Sequence, residues 1–298
     1  MESSGIATAT VGDIELAYET FGDRGDTPLL LISGLGSQMI SYADEFCAGL
    51  AGRGMFVVRF DNRDVGQSTH LHDAGTPRLG DVRRGDRSSV RYELADMAAD
   101  AVGLVEALGL DSVHVVGVSM GGMIAQRVAF TYPERVRSLT SIMSTTGARS
   151  VGGASEAAQA VLYAPPAQDR DGAIERQLTT SRVIGSPGFP FDEGAVRARA
   201  GLAFDRGHDP AGVARQMGAI VASPDRTADL GRVACPTLVI HGSDDALVNV
   251  SGGRATAAAV PGAELVVIEG MGHDLPQPLW PELTDRITAL VAQAEGRR

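Results

Sequence analysis

The sequence contains no lysine: all 26 of its basic residues are arginine. That absence excludes amine nucleophiles, Schiff bases and the phosphate-binding lysine of P-loop enzymes. Cysteine is almost absent as well. Cys47 and Cys235 are too few for a disulfide framework or a metal cluster, and two buried apolar thiols are expected. No apolar run reaches the ~20 residues of a membrane span, so no integral membrane segment is expected. Met1 to Tyr18 shows no basic segment followed by an apolar one, so no secretory signal is read and a cytoplasmic location is expected. The 37 acidic residues leave a net charge of −11, which gives no general attraction to nucleic acid or anionic lipid. What is present is an apolar content of 44% over 298 residues, ample for a large core.

Short apolar runs alternate with helical patterns in the first half. Ile14 to Tyr18 reads as a strand, with Ile6 to Val11 as its hairpin partner. Pro28 to Ile32, Met55 to Phe60, Val113 to Val118, Leu139 to Met143, Thr237 to Ile240 and Leu265 to Ile268 read as strands buried on both faces of a parallel sheet. Leu94, Met97, Ala98, Ala101, Leu104, Val105 and Leu108 recur at three and four, one face of a helix that stops at Gly109. Leu283, Ile287, Leu290, Val291 and Ala294 repeat the pattern. From about 148 to 225 the alternation breaks: helical patterns follow one another, separated by Pro165-Pro166, Gly185 to Gly188 and Pro210. The expected organisation is an α/β core (1–147 and 226–298) interrupted by an all-helical cap (148–225).

Gly117-Val118-Ser119-Met120-Gly121 is a G-x-S-x-G motif between an apolar strand and a helix read over Met123 to Thr131. A sharp strand–turn–helix junction strains the serine backbone and lifts its hydroxyl above the strand ends. A serine hydroxyl needs a general base. Of six histidines, His273 lies in a glycine-flanked loop after the last strand and is the candidate. His114 and His241 read as packed structural residues, His70 and His72 as solvated loop residues rather than a metal pair, and His208 carries no signal. An orienting carboxylate comes from Asp244 or Asp245, after the strand ending near His241. Asp61, Arg63 and Asp64 read as pinning their own loop, with Gly66 making the turn. The arginines of 78–91 read as a solvated loop, and Phe189 and Phe191 as cap core.

In order along the chain stand Gly34-Leu35-Gly36, Asp61 to Ser68, the turn at Ser119, Gly242-Ser243-Asp244-Asp245 and Gly272-His273. In these five motifs the chain resembles the α/β-hydrolase superfamily, most closely bacterial esterases of the aclacinomycin methylesterase type, with haloperoxidase-like hydrolases next. Asp64, where many relatives carry Gly, leans toward the first group. The resemblance implies an α/β-hydrolase fold and a mostly parallel sheet flanked by helices. It implies Ser119 as nucleophile, Asp245 as acid and His273 as base, and an oxyanion hole from the backbone N–H groups of Leu35 and Met120. Many relatives carry His where this chain has Ser33. The implied reaction is hydrolysis of a small-molecule carboxylic ester, without metal or organic cofactor. A thioesterase or lipase, and a carbon–carbon hydrolase, would use the same residues. A non-catalytic binding protein on this scaffold is the reading from another class.

Overall fold

The computed structural model describes residues 3–296. Eight strands form one sheet: β1 (Ala7–Val11), β2 (Ile14–Phe21), β3 (Thr27–Ile32), β4 (Met55–Phe60), β5 (Val113–Val118), β6 (Val136–Ile142), β7 (Thr237–Gly242) and β8 (Glu264–Ile268), in the order β1-β2-β4-β3-β5-β6-β7-β8. β1 and β2 run antiparallel at one edge, and β3 to β8 are mutually parallel. This mostly parallel sheet is the one expected from the resemblance to α/β hydrolases. The helices are α1 (Asp44–Ala51), α2 (Leu79–Arg83), α3 (Leu94–Ala107), α4 (Met120–Thr131), α5 (Glu156–Leu162), α6 (Arg170–Ile184), α7 (Glu193–Arg206), α8 (Pro210–Ala222), α9 (Thr227–Leu230), α10 (Ser251–Ala259) and α11 (Trp280–Glu295). No helix among the described residues is long and apolar enough to cross a membrane.

Strand alternation divides the core in two. In β3, Leu30 and Ile32 face one cluster with Leu94, Met97, Leu104 and Ile124 of α3 and α4. Leu29 and Leu31 face the other, with Phe46 and Leu50 of α1 and Leu283 and Ile287 of α11. The central strands are buried on both faces, as their continuous apolar runs require. β8 departs from that expectation: only Ile268 is buried, because the strand is an edge with one neighbour.

The chain enters the parallel part of the sheet at β3, adds β4 on one side, then returns to add β5 on the other. The loops leaving β3 and β5 therefore diverge at a point where the strand order reverses, the place where open α/β sheets leave a crevice above the strand ends. Five helices, α5 to α9, lie between β6 and β7. Three of them are lightly buried by comparison with the core: α5 buries only Ala158, α6 only Leu178, and α7 only Val196, Ala200 and Gly201, whereas α8 buries one whole face.

Candidate active site

Ser119 directly follows β5 and is the N-cap residue of α4, which starts at Met120, three residues earlier than the apolar pattern suggests. Its backbone is left-handed, φ 56° and ψ −118°, a conformation costly for a residue with a Cβ. The structure holds it there: Ser119 N–H donates to Ile142 O at 2.9 Å, and Ser144 Oγ donates to Ser119 O at 2.9 Å. A Cβ at Gly117 would strike the Gly121 carbonyl, and one at Gly121 the Ile32 carbonyl. Only glycine permits this closeness of turn, helix and neighbouring strand.

Three side chains meet here. Ser119 Oγ lies 2.9 Å from His273 Nε2, and His273 Nδ1 lies 2.7 Å from Asp245 Oδ2. The second Asp245 oxygen accepts the N–H groups of Leu247 (2.9 Å) and Val248 (2.8 Å). Burial acts to raise the Asp245 pKa, but contacts from His241 and His273 and the Val248 N–H outweigh it and hold the carboxyl down at about 2. An ionised Asp245 makes Nδ1 the protonated nitrogen and leaves the Nε2 lone pair for the serine hydroxyl. Asp244 points elsewhere. It is exposed, accepts Ser243 Oγ–H at 2.5 Å, and lies 3.2 Å from Gly270 N.

The remaining two candidates come to the same place. A Cβ on Gly34 would meet Ser119 Cβ at 3.3 Å, so the Gly34-Leu35-Gly36 loop lies directly against the serine. Met120 is the first residue of α4, so the helix itself provides no acceptor for its N–H, which lies at the helix's positive end.

Several readings from sequence change. His70 is not solvated: Nδ1 lies 2.9 Å from Asp209 Oδ2, and Nε2 lies 3.0 Å from Gly66 O. His72 is exposed. With Asp209 these histidines offer ligand atoms within 4.8 Å of one another. The same Asp209 oxygen lies 3.1 Å from Arg215, so a metal ion there would compete with a guanidinium. Arg91 and both histidines line an open hollow of about 630 Å³ that includes none of Ser119, Asp245 and His273. Phe191 is exposed, not cap core, while Phe189 packs on the core cluster containing Ile240 and Met271. Cys47 is buried, and Cys235 only partly. His241 is fully buried; Nε2 donates to Val248 O at 2.7 Å and lies 3.4 Å from Asp245 Oδ2.

The Asp61 to Ser68 segment does more than pin its own loop. Asp61 pairs with Arg206 at 2.7 Å and Asp64 with Arg215 at 2.8 Å, the arginines coming from α7 and α8, between β6 and β7. Asp64 stands at φ 70°, a left-handed position that asparagine, aspartate and above all glycine tolerate. Arg63 pairs with Asp100 of α3 at 2.5 Å. Sequence reasoning missed these partners from α7 and α8, although a signal exists. Gly212, Arg215, Gln216 and Ala219 fall on one face of α8, and all are buried. Two long polar side chains on a buried small-residue stripe must find polar partners on another element.

Residues 27–168 match the model of the α/β hydrolase fold family. The rhodomycin D methylesterase of Streptomyces peucetius is 31% identical over 301 residues, an alignment spanning 94% of this chain and 96% of that one. Among solved structures, a bromoperoxidase of Bacillus anthracis superposes with a TM-score of 0.73 at 22% identity, covering 97% of this chain and 100% of its own. The enol-lactonase of Burkholderia xenovorans superposes with a TM-score of 0.72 at 22% identity, covering 97% and 100%. The chain thus belongs to the α/β-hydrolase superfamily and is related along nearly its whole length to bacterial methylesterases.

Proposed function

We propose that this protein is a serine hydrolase of carboxylic esters of small or medium-sized organic molecules, working through an acyl-enzyme. The observation that carries the reading is the unbroken relay Ser119 Oγ–His273 Nε2 (2.9 Å) and His273 Nδ1–Asp245 (2.7 Å), with the serine at a strained turn. Kinship with methylesterases supports the substrate class and favours a small alcohol as the leaving group.

Ser119 Oγ attacks the ester carbonyl as its proton passes to His273 Nε2. The carbonyl electrons move onto oxygen, and the Leu35 and Met120 N–H groups hold that charge; each such donor is worth ~3 kcal/mol. Asp245 stabilises the imidazolium. The carbon–oxygen bond to the alcohol breaks, and the alcohol leaves with the proton from Nε2. Water then gives a proton to His273 and attacks the acyl carbon. The acid departs and the serine recovers its hydrogen. No step draws on a metal or organic cofactor.

The test is labelling by a fluorophosphonate probe, followed by turnover on methyl, long-chain and thioester substrates. Wild type is expected to label and to favour short oxygen esters. Ser119→Ala, folded by circular dichroism, loses labelling, and kcat falls by ~10⁵ or more. Full labelling of that variant would remove Ser119 from its role. Preference for long acyl chains or thioesters would move the substrate class.

A further inference from the structure

The loop against Ser119 is a β-turn: Ser37 N–H donates to Gly34 O at 3.1 Å, with Gly36 at φ 65°. A left-handed third residue is the type II geometry. Type I differs from it chiefly by a flip of the central peptide, here Leu35–Gly36, and glycine accepts either form. Glycine at the third position permits the left-handed form without enforcing it. A residue from the cap makes the choice.

Gln216 of α8 is fully buried. Its Oε1 accepts the Gly36 N–H at 2.8 Å, and its Nε2 donates to Arg63 O at 2.8 Å. The two contacts fix each other. Arg63 O can only accept, so the NH₂ end must face it and the oxygen must face Gly36. A flipped peptide would turn the Leu35 carbonyl toward that oxygen, two acceptors in a dry site. Arg63 is itself anchored, through Nε to Asp100 at 2.5 Å. Val213, one turn earlier on α8, presses on the same glycine: a Cβ on Gly36 would meet both its methyl carbons at 3.2 Å. The cap also reaches the other side of the site. His273 N–H donates to Ile184 O at 2.6 Å, and Gly272 N–H to Ser186 Oγ at 2.9 Å.

We infer that Gln216 is a positioning residue of the reaction: through the Gly36 N–H it holds the turn that presents the Leu35 oxyanion donor, so the cap is part of the catalytic frame. This rests on the serine-hydrolase reading above. An oxyanion donor acts only within a few tenths of an ångström of its proper distance. Loosening the turn therefore weakens the transition state and leaves ester binding nearly intact.

The experiment uses Gln216→Met, which keeps side-chain length and removes both polar ends. On p-nitrophenyl acetate kcat is expected to fall ~10- to 100-fold with KM within ~3-fold, since the lost stabilisation is confined to the transition state. The Ki of a trifluoromethyl ketone, which forms an oxyanion on the serine, should rise in parallel with the loss in kcat/KM. A folded variant with kcat within ~2-fold of wild type, or with KM alone raised, overturns the inference. Amide hydrogen exchange in the unaltered protein gives a second measure that no folding defect can obscure. The Gly36 amide should exchange as slowly as those of β3, and rapid exchange overturns the inference. A wild type that neither labels with fluorophosphonate nor hydrolyses esters fails the functional reading instead, and leaves the exchange test standing.

Discussion

The sheet core and the helices α5 to α8, which we propose as its cap, are held by different forces. In the core, Leu29 to Ile32 and Val57 to Phe60 contribute buried apolar surface to both faces, with the buried Arg59 as the exception. Burial of this kind is non-directional and tolerates small shifts. Besides a few apolar contacts such as Phe189, the cap meets the core through directed polar contacts: Arg206 to Asp61, Arg215 to Asp64, Gln216 to two backbone groups, and Gln38 to the carbonyls of Ala203 and Gly207. Arg226, buried where the chain leaves the cap, donates to Thr145 O at 2.7 Å, and its backbone N–H donates to Thr146 O at 2.9 Å, where the chain enters. Burial lowers the Arg226 pKa to about 10, still far above neutrality, so a buried cation staples the neck. Directed contacts of this kind fix orientation as well as attachment. The core therefore sets stability, while the cap contacts set the geometry of the loops that meet at Ser119.

Changes at the site itself should have the largest effect and the sharpest contrast. Asp245→Asn keeps the shape but cannot stabilise the imidazolium, and kcat should fall at least ~10³-fold. Asp244→Asn, one residue away and exposed, should cost less than ~10-fold. Measuring kcat for both on one activated ester decides the acid: severe loss at Asp244 would reverse the assignment.

The core and cap contrast is broken or sharpened next. Leu31→Ala, in a fully buried position, should lower unfolding free energy by ~2–5 kcal/mol and leave kcat of the folded fraction unchanged. Arg215→Met leaves Asp64 buried without its cation, at a cost of ~3–5 kcal/mol. That cost should fall on cap docking, giving early proteolysis near α8 together with a drop in kcat. Urea unfolding, limited proteolysis and kinetics on both variants test this. Equal loss of global stability with an intact cap in Arg215→Met would show that the two regions are one cooperative unit.

Acid should act on the same site through Asp245. Its carboxyl lies near 3.8 when unperturbed and about 2 here. A depressed carboxylate contributes stability above its unfolded pKa and loses it as pH falls through the folded one. Wild type should thus shed on the order of 2 kcal/mol between about pH 4 and pH 2 from this group, and Asp245→Asn should lack that component in urea titrations across the same window. A matching slope in the variant would mean another carboxylate carries it. The smallest effect belongs to Phe191, which is exposed on the cap beside Arg182. Phe191→Ala should change kcat/KM across ester lengths by less than ~2-fold, as expected of a surface side chain. A selective change would make it a substrate contact.

The amino-acid order alone determined the strands, most of the helices and the residues that meet at Ser119. Period-two and 3.6-residue patterns record which face is buried, and glycines record where backbones must touch: Gly117 and Gly121 are dictated by the carbonyls they approach. Asp245 could be told from Asp244 by its resemblance to a family pattern, but the physical reason lies in the turn, which sends the two side chains opposite ways. Pairing between distant polar residues was decided only in three dimensions. His70 read as a solvated loop residue because nothing near it in sequence is its partner; Asp209 is 139 positions away. Gln216 lies 180 positions from Gly36 and carries no periodic mark beyond an unexpected polar group on a buried helix face. Apolar burial leaves its imprint locally, since each residue needs only to face inward. A directed hydrogen bond needs one particular partner at one angle, and only the folded chain brings that partner within reach.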